Sequence, residues 1–264
     1  MSEDVVQRKL DHLNTVLNQD VSSKSTTKFE HVHFEHNALP EINFNKVDVS
    51  TRFLGRNLDA PLLISSMTGG PEKTQRINET ITAAAQSLKI AFAVGSQRIA
   101  LQNFQSAGFN KSLRLLAPDV PILANIGGAQ LLVNDNIDMA HRALEMIDAD
   151  AMIIHLNTLQ EVLQDGGDKN WAGVLKSIEV LVRELKCPII IKEVGCGISA
   201  TVALKLAKIG VTLIDVAGLG GTSWAAVEAD RAGSVEGNKI AETFRDWGIP
   251  TAKSLIDVRT ASQK

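Results

Sequence analysis

The segment 155–161 carries the most specific chemical pattern in this chain, and it directly follows a short apolar run. His155 and Asn157 stand two residues apart, so alternation along an extended strand points both side chains the same way. Gln160 and Glu161 then begin a loop at the same end of that strand. A carboxylate beside such hydrogen-bond donors suits a phosphate that is bridged by Mg²⁺. The alternative is a hydrogen-bonded strand end with a solvated Glu161.

Lys192 is the second candidate, because together with Glu193 it ends another apolar run. A lysine at the end of a buried strand must be paired or must face an anionic ligand. Its ammonium group could form a Schiff base with a carbonyl compound. It could also place positive charge beside the N1–C2=O edge of a reduced flavin. A structural ion pair with Glu193 or Asp215 is the alternative.

Five further polar residues are candidates for the site. Three of them follow apolar runs, and two lie near the N-terminus, before the first run. Ser96 and Asn125 are small hydrogen-bonding groups that could meet the edge of a planar heterocycle. Arg98 and the adjacent pair Arg8 and Lys9 are the cations that could hold a diphosphate. Each of these features, taken alone, is more often a strand cap or a surface charge.

The elements that must position these residues are six short apolar runs separated by helical stretches. Such runs predict buried parallel strands in successive βα units. Because the carboxyl ends of parallel strands gather on one rim, the polar residues that follow them are expected to lie together, as in a (β/α)8 barrel. The runs span residues 61–64, 90–94, 121–124, 151–154, 188–191 and 211–216.

We therefore expect an α/β fold, a TIM (β/α)8-type barrel with about six βα units and the last two missing. Ser199 is a candidate N-cap of one helix, and Gly210 is expected to end it. Residues 1–264 are expected to form a single domain with an N-terminal extension, 1–55. That extension includes an amphipathic helix with Arg8 and Lys9 on its polar side and Val6, Leu10, Leu13 and Leu17 on the other.

Composition narrows the functional classes. The 264 residues are 44% hydrophobic and 22% charged with a net charge of −3, which is typical of a soluble globular protein and gives no reason to expect nucleic acid or a membrane as partner. No apolar run approaches the roughly 20 residues of a membrane span. The acidic N-terminus lacks the apolar core of a signal peptide, and we expect a cytoplasmic protein with reduced cysteines.

Taken together, these segments resemble the type 2 isopentenyl diphosphate isomerases, the flavin-dependent class. The matching stretches come in the family's order and extend over nearly the whole chain. They are 7–9, 64–70, 94–98, 124–127, 155–161, 192–195, 220–224 and 247–251.

The resemblance implies a barrel that binds reduced FMN, uses NADPH as reductant and Mg²⁺ as metal, and interconverts isopentenyl diphosphate and dimethylallyl diphosphate. FMN is then expected at Ser66, Met67, Thr68, Ser96, Asn125, Lys192 and Thr222. The substrate is expected at Arg8, Lys9, Ser96, Gln97, Arg98, His155, Asn157, Gln160 and Trp224. Glu161 is the expected metal ligand, and Gln160, Lys192 and His155 are the expected catalytic residues.

The chemistry implied by the resemblance is addition of a proton to the terminal alkene carbon and removal of one from the allylic carbon, through a tertiary carbocation. Reduced flavin is the family's candidate acid. Lys192 would favour the anionic flavin, and the face of Trp224 could stabilise the cation.

The chain also departs from the family. A Gly-Gly phosphate-binding stretch after a seventh strand and another at the eighth are expected but missing, and Ala217 stands where relatives often have Ser. We therefore expect the edges of two strands to be exposed, and we expect the chain either to fold poorly alone or to need another subunit or a missing fragment. The resemblance suggests a homo-oligomer, a tetramer or octamer.

Two other functions remain open from the sequence. One is an FMN-dependent oxidase or dehydrogenase of 2-hydroxy acids, which needs a late histidine base that this chain lacks. The other is an inactive truncated fragment that persists as a binding or assembly subunit.

Overall fold

The computed structural model describes residues 2–66, 72–103, 108–133 and 135–262. The strands are β1 (Thr51–Phe53), β2 (Arg56–Leu58), β3 (Leu63–Ile64), β4 (Ala91–Ala93), β5 (Ile122–Gly127), β6 (Ala151–Leu156), β7 (Ile189–Glu193) and β8 (Leu213–Asp215). The helices are α1 (Ser2–Asn18), α2 (Glu72–Ser87), α3 (Arg98–Asn103), α4 (Ser112–Leu116), α5 (Asn136–Ile147), α6 (Thr158–Leu163), α7 (Val174–Glu184), α8 (Ala200–Lys208), α9 (Trp224–Arg231), α10 (Val235–Thr243) and α11 (Thr251–Ala261). Short 3-10 turns lie at Phe29–His31, Phe44–Lys46 and Gly128–Leu132.

Strands β3 to β8 form one parallel sheet whose order follows the chain, β3-β4-β5-β6-β7-β8. Each of the six predicted runs overlaps one of these strands, and β5, β6 and β7 extend two or three residues further, so the predicted α/β fold with six parallel strands is confirmed. The helix predicted after Ser199 is also confirmed, because the Ser199 side chain accepts a hydrogen bond from the backbone N–H of Val202. Gly210 follows that helix with a φ of +94°, a conformation that favours glycine.

The sheet is curved strongly enough that its two outer strands meet through side chains. Five strand spacings would separate β3 from β8 by about 24 Å in a flat sheet. Nevertheless Ser65, just after β3, donates a hydrogen bond from Oγ to Oδ2 of Asp215 at the end of β8, at 3.0 Å. The sheet is therefore a half-barrel, and the carboxyl ends of its strands surround one hollow.

Alternation along the strands divides the core between the two faces of this half-barrel. Helices α5 and α7 pack on the outer face, where Met152 and Ile154 are buried. Leu123, Ile153 and Ile190 belong to a smaller inner cluster, which the β1–β2 hairpin covers. Because side chains alternate, the residues two positions further on in β5, β6 and β7 also face inward. These residues are Asn125, His155 and Lys192.

Helix α1 confirms the predicted N-terminal helix, but the side that packs on the protein is the polar one. His12 and Thr15 are buried, and they bind Glu228 and Asp230 of α9 at 2.9 and 2.7 Å. Leu17, from the apolar side, is 71% exposed. The orientation follows from the surface that receives the helix, since α9 presents carboxylates that only polar side chains can satisfy.

The rest of the N-terminal extension runs over the surface before it reaches the hairpin. Residues 28–50 are all exposed, including large apolar side chains such as Phe34 and Phe44. Among the described residues, none of the helices has the length and apolar character required to span a bilayer.

The inner cluster makes a direct prediction about stability. Ile153 is 1% exposed, whereas Ile256 on α11 is 61% exposed. We expect Ile153→Ala to lower the free energy of unfolding by about 2–5 kcal/mol. The smaller side chain would leave an unfilled space in the inner cluster, below the carboxyl ends of the strands. The control Ile256→Ala is expected to change it by less than about 0.5 kcal/mol. Urea denaturation of both variants measures the difference, and equal effects would contradict the assignment of Ile153 to the core.

Candidate active site

One cavity of about 860 Å³, including its open mouth, lies at the carboxyl ends of the strands. Most residues predicted for the site line it, although they come from all parts of the chain. These residues are Arg8, Lys9, Ser66, Ser96, Arg98, Asn125, His155, Asn157, Gln160, Glu161, Lys192 and Trp224.

Gln97, predicted as a substrate contact, does not line this cavity. Its side chain is fully buried, and its Oε1 accepts a hydrogen bond from the backbone N–H of Asn125 at 2.9 Å. Its Nε2 donates to the carbonyl of Ala143 on α5, also at 2.9 Å. Gln97 therefore ties the loop after β4 to β5 and α5, and it positions Asn125, which does line the cavity.

Thr222, predicted as a flavin contact, does not line the cavity either. It is exposed, and its backbone forms an isolated antiparallel bridge with Ser22. The remaining two predicted flavin contacts, Met67 and Thr68, lie outside the described residues.

The protonation of His155 follows from its neighbours. Asn125 donates from Nδ2 to the carbonyl of Val94 at 3.1 Å, so its Oδ1 faces His155. Nδ1 of His155 therefore carries a proton and donates it to Oδ1 of Asn125 at 2.8 Å. Burial lowers the pKa of His155 to about 3, and repulsion from Lys9 and Lys192 contributes. The imidazole is neutral at physiological pH, and its Nε2 is a hydrogen-bond acceptor.

Lys192 is buried, and its positive charge is only partly compensated by neighbouring oxygen atoms. Its Nζ donates to the carbonyl oxygen of Glu193 at 2.6 Å and lies 3.9 Å from Oδ2 of Asp215. Burial lowers the pKa of Lys192, whereas attraction by Asp215 opposes that shift. The Glu193 carboxylate is directed elsewhere, because it accepts hydrogen bonds from the backbone N–H groups of Val194 and Gly195 at 2.7 and 2.8 Å. The ion pair that the sequence left open therefore involves Asp215, and Lys192 still lines the cavity.

Gln160 is fixed by hydrogen bonds to both ends of its amide. Its Nε2 donates to Oε1 of Glu228 at 3.0 Å, and its Oε1 accepts from Nδ2 of Asn157 at 3.1 Å. Glu228 also accepts from His12 at 2.9 Å and from Arg231 at 2.7 Å. Burial raises the pKa of Glu228, but these hydrogen bonds and charges outweigh it and hold the pKa below its usual value. The same carboxylate therefore anchors helix α1 and orients Gln160.

Glu161 is a buried carboxylate with several donors. Nδ2 of Asn157 donates to its Oε1 at 3.0 Å, and the backbone N–H of Asp168 donates to its Oε2 at 2.7 Å. Nε2 of Gln164 approaches the same Oε2 at 3.3 Å. Oδ1 of Asn157 is buried without a hydrogen-bond partner, so an uncommitted oxygen lies next to this carboxylate.

Three cationic side chains, Arg8 and Lys9 of α1 and Arg98 of α3, line the cavity together. The Nε atoms of both arginines are buried without a hydrogen-bond partner. Burial lowers the pKa of Lys9 to about 8, and repulsion from Arg8 adds to the shift while Glu161 opposes it. Burial and then repulsion from Arg98 lower the pKa of Arg8. Charges that repel one another in a half-buried space favour a multiply charged anion as ligand.

The described residues limit how a metal could bind. They contain no cluster of three or more His, Cys, Asp or Glu ligands. A hard cation such as Mg²⁺ would instead take the Glu161 carboxylate and the free Oδ1 of Asn157, with water and ligand oxygens completing its shell. A planar cofactor would find Ser66, whose Oγ is buried without a partner, and Lys192.

Several residues of this site were not predicted from the sequence. His12 lies four residues after Arg8, a spacing that places both on one side of a helix. Glu228 interrupts an otherwise apolar stretch of α9, and a single carboxylate among buried alanines signals a required partner. The partners of Gln164 and Asp168 depend on how a loop folds back, which no local pattern showed. Gln130 also lines the cavity.

The tautomer of His155 can be tested by NMR. At pH 7 we expect a neutral imidazole with its proton on Nδ1, visible in the ¹⁵N shifts. Because its folded pKa of about 3 lies below that of the unfolded chain, near 6.5, the free energy of unfolding should fall as pH drops below about 6.5. Lys9→Met should raise the pKa of His155 by removing a repulsive charge, and Lys208→Met should leave it unchanged. A protonated ring at pH 7 would contradict this account.

Comparison with known proteins identifies the family. An isopentenyl-diphosphate delta-isomerase of Pseudescherichia vulneris is 56% identical over 260 residues, which cover 98% of this chain and 75% of the relative. That of Stutzerimonas stutzeri (strain A1501) is 54% identical with the same coverage. A search of family models gives no match.

The solved structures support the fold alone. The monotopic membrane protein (S)-mandelate dehydrogenase matches with a TM-score of 0.50 and 12% identity, over 97% of this chain and 98% of that one. Because the similarity to the curated relatives extends over nearly the whole chain and three quarters of their length, this chain belongs to the isopentenyl-diphosphate delta-isomerase family.

Proposed function

We propose that this chain interconverts isopentenyl diphosphate and dimethylallyl diphosphate as a flavin-dependent, type 2 isomerase. One observation carries the proposal: three cations, a buried ammonium, a neutral imidazole and a carboxylate beside a free amide oxygen all line one cavity. The reaction is inferred from the name of the curated relatives. The cavity offers groups that fit both the diphosphate and the alkene of such a substrate.

The charged end of the substrate would lie among Arg8, Lys9 and Arg98. The Nε atoms of Arg8 and Arg98 are buried donors without a partner, and an anion that entered the cavity would offer them acceptors. Phosphate oxygens accept from guanidinium groups in pairs, which fixes orientation as well as affinity. Glu161 and Oδ1 of Asn157 would hold Mg²⁺ against the same diphosphate. Fixing this end leaves the alkene with few available positions.

The flavin would occupy the side of the cavity formed by residues at the carboxyl ends of β3, β4, β5 and β7. Ser66, Ser96 and Asn125 offer hydrogen-bonding groups there, and Lys192 offers positive charge for an anionic ring edge. When bound and reduced, with NADPH as the proposed reductant, FMN supplies the acid and base that act on the alkene. The protein's own groups are poor acids for an alkene, because His155 is neutral and Lys192 is paired with Asp215.

The reacting end of the substrate would lie beside Gln160 and Trp224. Gln160 keeps one N–H and one oxygen lone pair free after its bonds to Glu228 and Asn157. These two free groups can orient the substrate without exchanging protons with it. Trp224 packs edge to face on His12, with ring centroids 5.2 Å apart, so its position is fixed. An indole face can stabilise a transient tertiary carbocation.

An anaerobic assay tests the proposal. The purified chain with FMN, NADPH, Mg²⁺ and isopentenyl diphosphate should form dimethylallyl diphosphate and should not oxidise lactate. Lys192→Ala and Gln160→Ala should each lower kcat by at least about 100-fold, because the first removes the charge beside the flavin and the second removes orientation of the alkene. The exposed-site variants Lys208→Ala and Gln19→Ala are matched controls and should retain the rate. Near-wild-type turnover by both site variants would overturn the assignment.

Lys9 gives the site a pH dependence. Because burial lowers its pKa to about 8, Lys9 loses its charge as pH rises from 7 to 9, and diphosphate binding should weaken by up to about tenfold. In Lys9→Met, binding at pH 7 should be weaker and this part of the pH dependence should be absent. Calorimetric titration with isopentenyl diphosphate at several pH values measures both. Identical pH profiles for wild type and Lys9→Met would contradict a diphosphate contact at Lys9.

A further inference from the structure

One residue of the loop after α6, Asp168, contacts both the cationic and the anionic side chains of the proposed diphosphate site. The carboxylate of Asp168 accepts a hydrogen bond from Nη1 of Arg98 at 2.8 Å. Its backbone N–H donates to Oε2 of Glu161 at 2.7 Å. Asp168 therefore hydrogen-bonds to both proposed binding groups. These are Arg98, the cation that would bind the diphosphate, and Glu161, the carboxylate that would bind Mg²⁺.

The loop can lie this close only because of its glycine. A Cβ atom at Gly167 would lie 2.1 Å from the carbonyl oxygen of Glu161, which no side chain could tolerate. On its other side the carbonyl of Asp168 accepts a hydrogen bond from Nε1 of Trp171 at 2.9 Å. The position of Asp168 is therefore built into the loop.

Arg98 nevertheless has donors that Asp168 does not use. Its Nε is buried without a partner. A guanidinium group binds best when two of its donors meet two oxygens of the same anion. A diphosphate that enters the cavity offers more oxygens and more charge than the single carboxylate, so it can replace Asp168.

We propose that Asp168 is an internal competitor for the diphosphate: it binds Arg98 before the substrate arrives and is displaced when the substrate binds. This inference rests on the proposed function, because it requires a diphosphate at Arg98. Its consequence is selectivity. A singly charged ligand gains too little from Arg98 to replace a carboxylate tethered beside it, whereas a diphosphate with Mg²⁺ gains enough.

Calorimetry with inorganic pyrophosphate and Mg²⁺ tests this role without requiring turnover. Asp168→Asn keeps the size and the backbone N–H of the residue but removes its charge, and it should bind pyrophosphate about two- to fivefold more tightly than wild type. Asp168→Ala should change the affinity in the same direction. Asp165→Asn is the matched control, because Asp165 is exposed on the same loop, and it should bind like wild type.

A double-mutant cycle separates occupation of Arg98 from a general charge effect. If Asp168 acts by holding Arg98, Asp168→Asn should have no effect on pyrophosphate affinity in the Arg98→Ala background. Persistence of the full effect there would overturn the proposal, as would unchanged or weaker binding by Asp168→Asn in an otherwise wild-type chain. Failure of pyrophosphate to bind any of these proteins, including wild type, would overturn the diphosphate site itself and the proposed function with it.

Discussion

Positive charge concentrated in a half-buried cavity is the constraint on which the rest of this structure depends. Among the described residues that line the cavity, Arg8, Lys9, Arg98 and Lys192 are cations and Glu161 is the one carboxylate. The cost of this arrangement is visible in the pKa values of Lys9 and His155, which burial and neighbouring cations lower to about 8 and about 3. A diphosphate relieves that repulsion, whereas a neutral ligand would leave it in place.

The fold compensates part of this positive charge with carboxylates that lie behind the cavity wall. Strand alternation directs Lys192 inward, and Asp215 on the neighbouring strand compensates its charge. Glu228 holds α1, and with it Arg8 and Lys9, through the buried His12. The carboxylates of Asp215 and Glu228 lie behind the basic wall of the cavity, so the chain can fold before any anion arrives.

The six parallel strands and many of the residues at their carboxyl ends could be predicted from the sequence. Apolar runs identify the strands, and the period of two then places Asn125, His155 and Lys192 on the inner face. The sequence was not sufficient for contacts that join distant segments. The packed side of α1 was not foreseen, because it depends on Glu228, 216 residues from His12. Gln97 was expected at the substrate from the family resemblance, but tertiary hydrogen bonds direct its side chain into the core.

A crystal structure of the chain with isopentenyl diphosphate and Mg²⁺ tests the central claim most directly. The account predicts diphosphate oxygens within hydrogen-bonding distance of Arg8, Lys9 and Arg98, the metal on Glu161, and the alkene between Gln160 and Trp224. A diphosphate bound away from these three cations, with the cavity filled only by water, would contradict it.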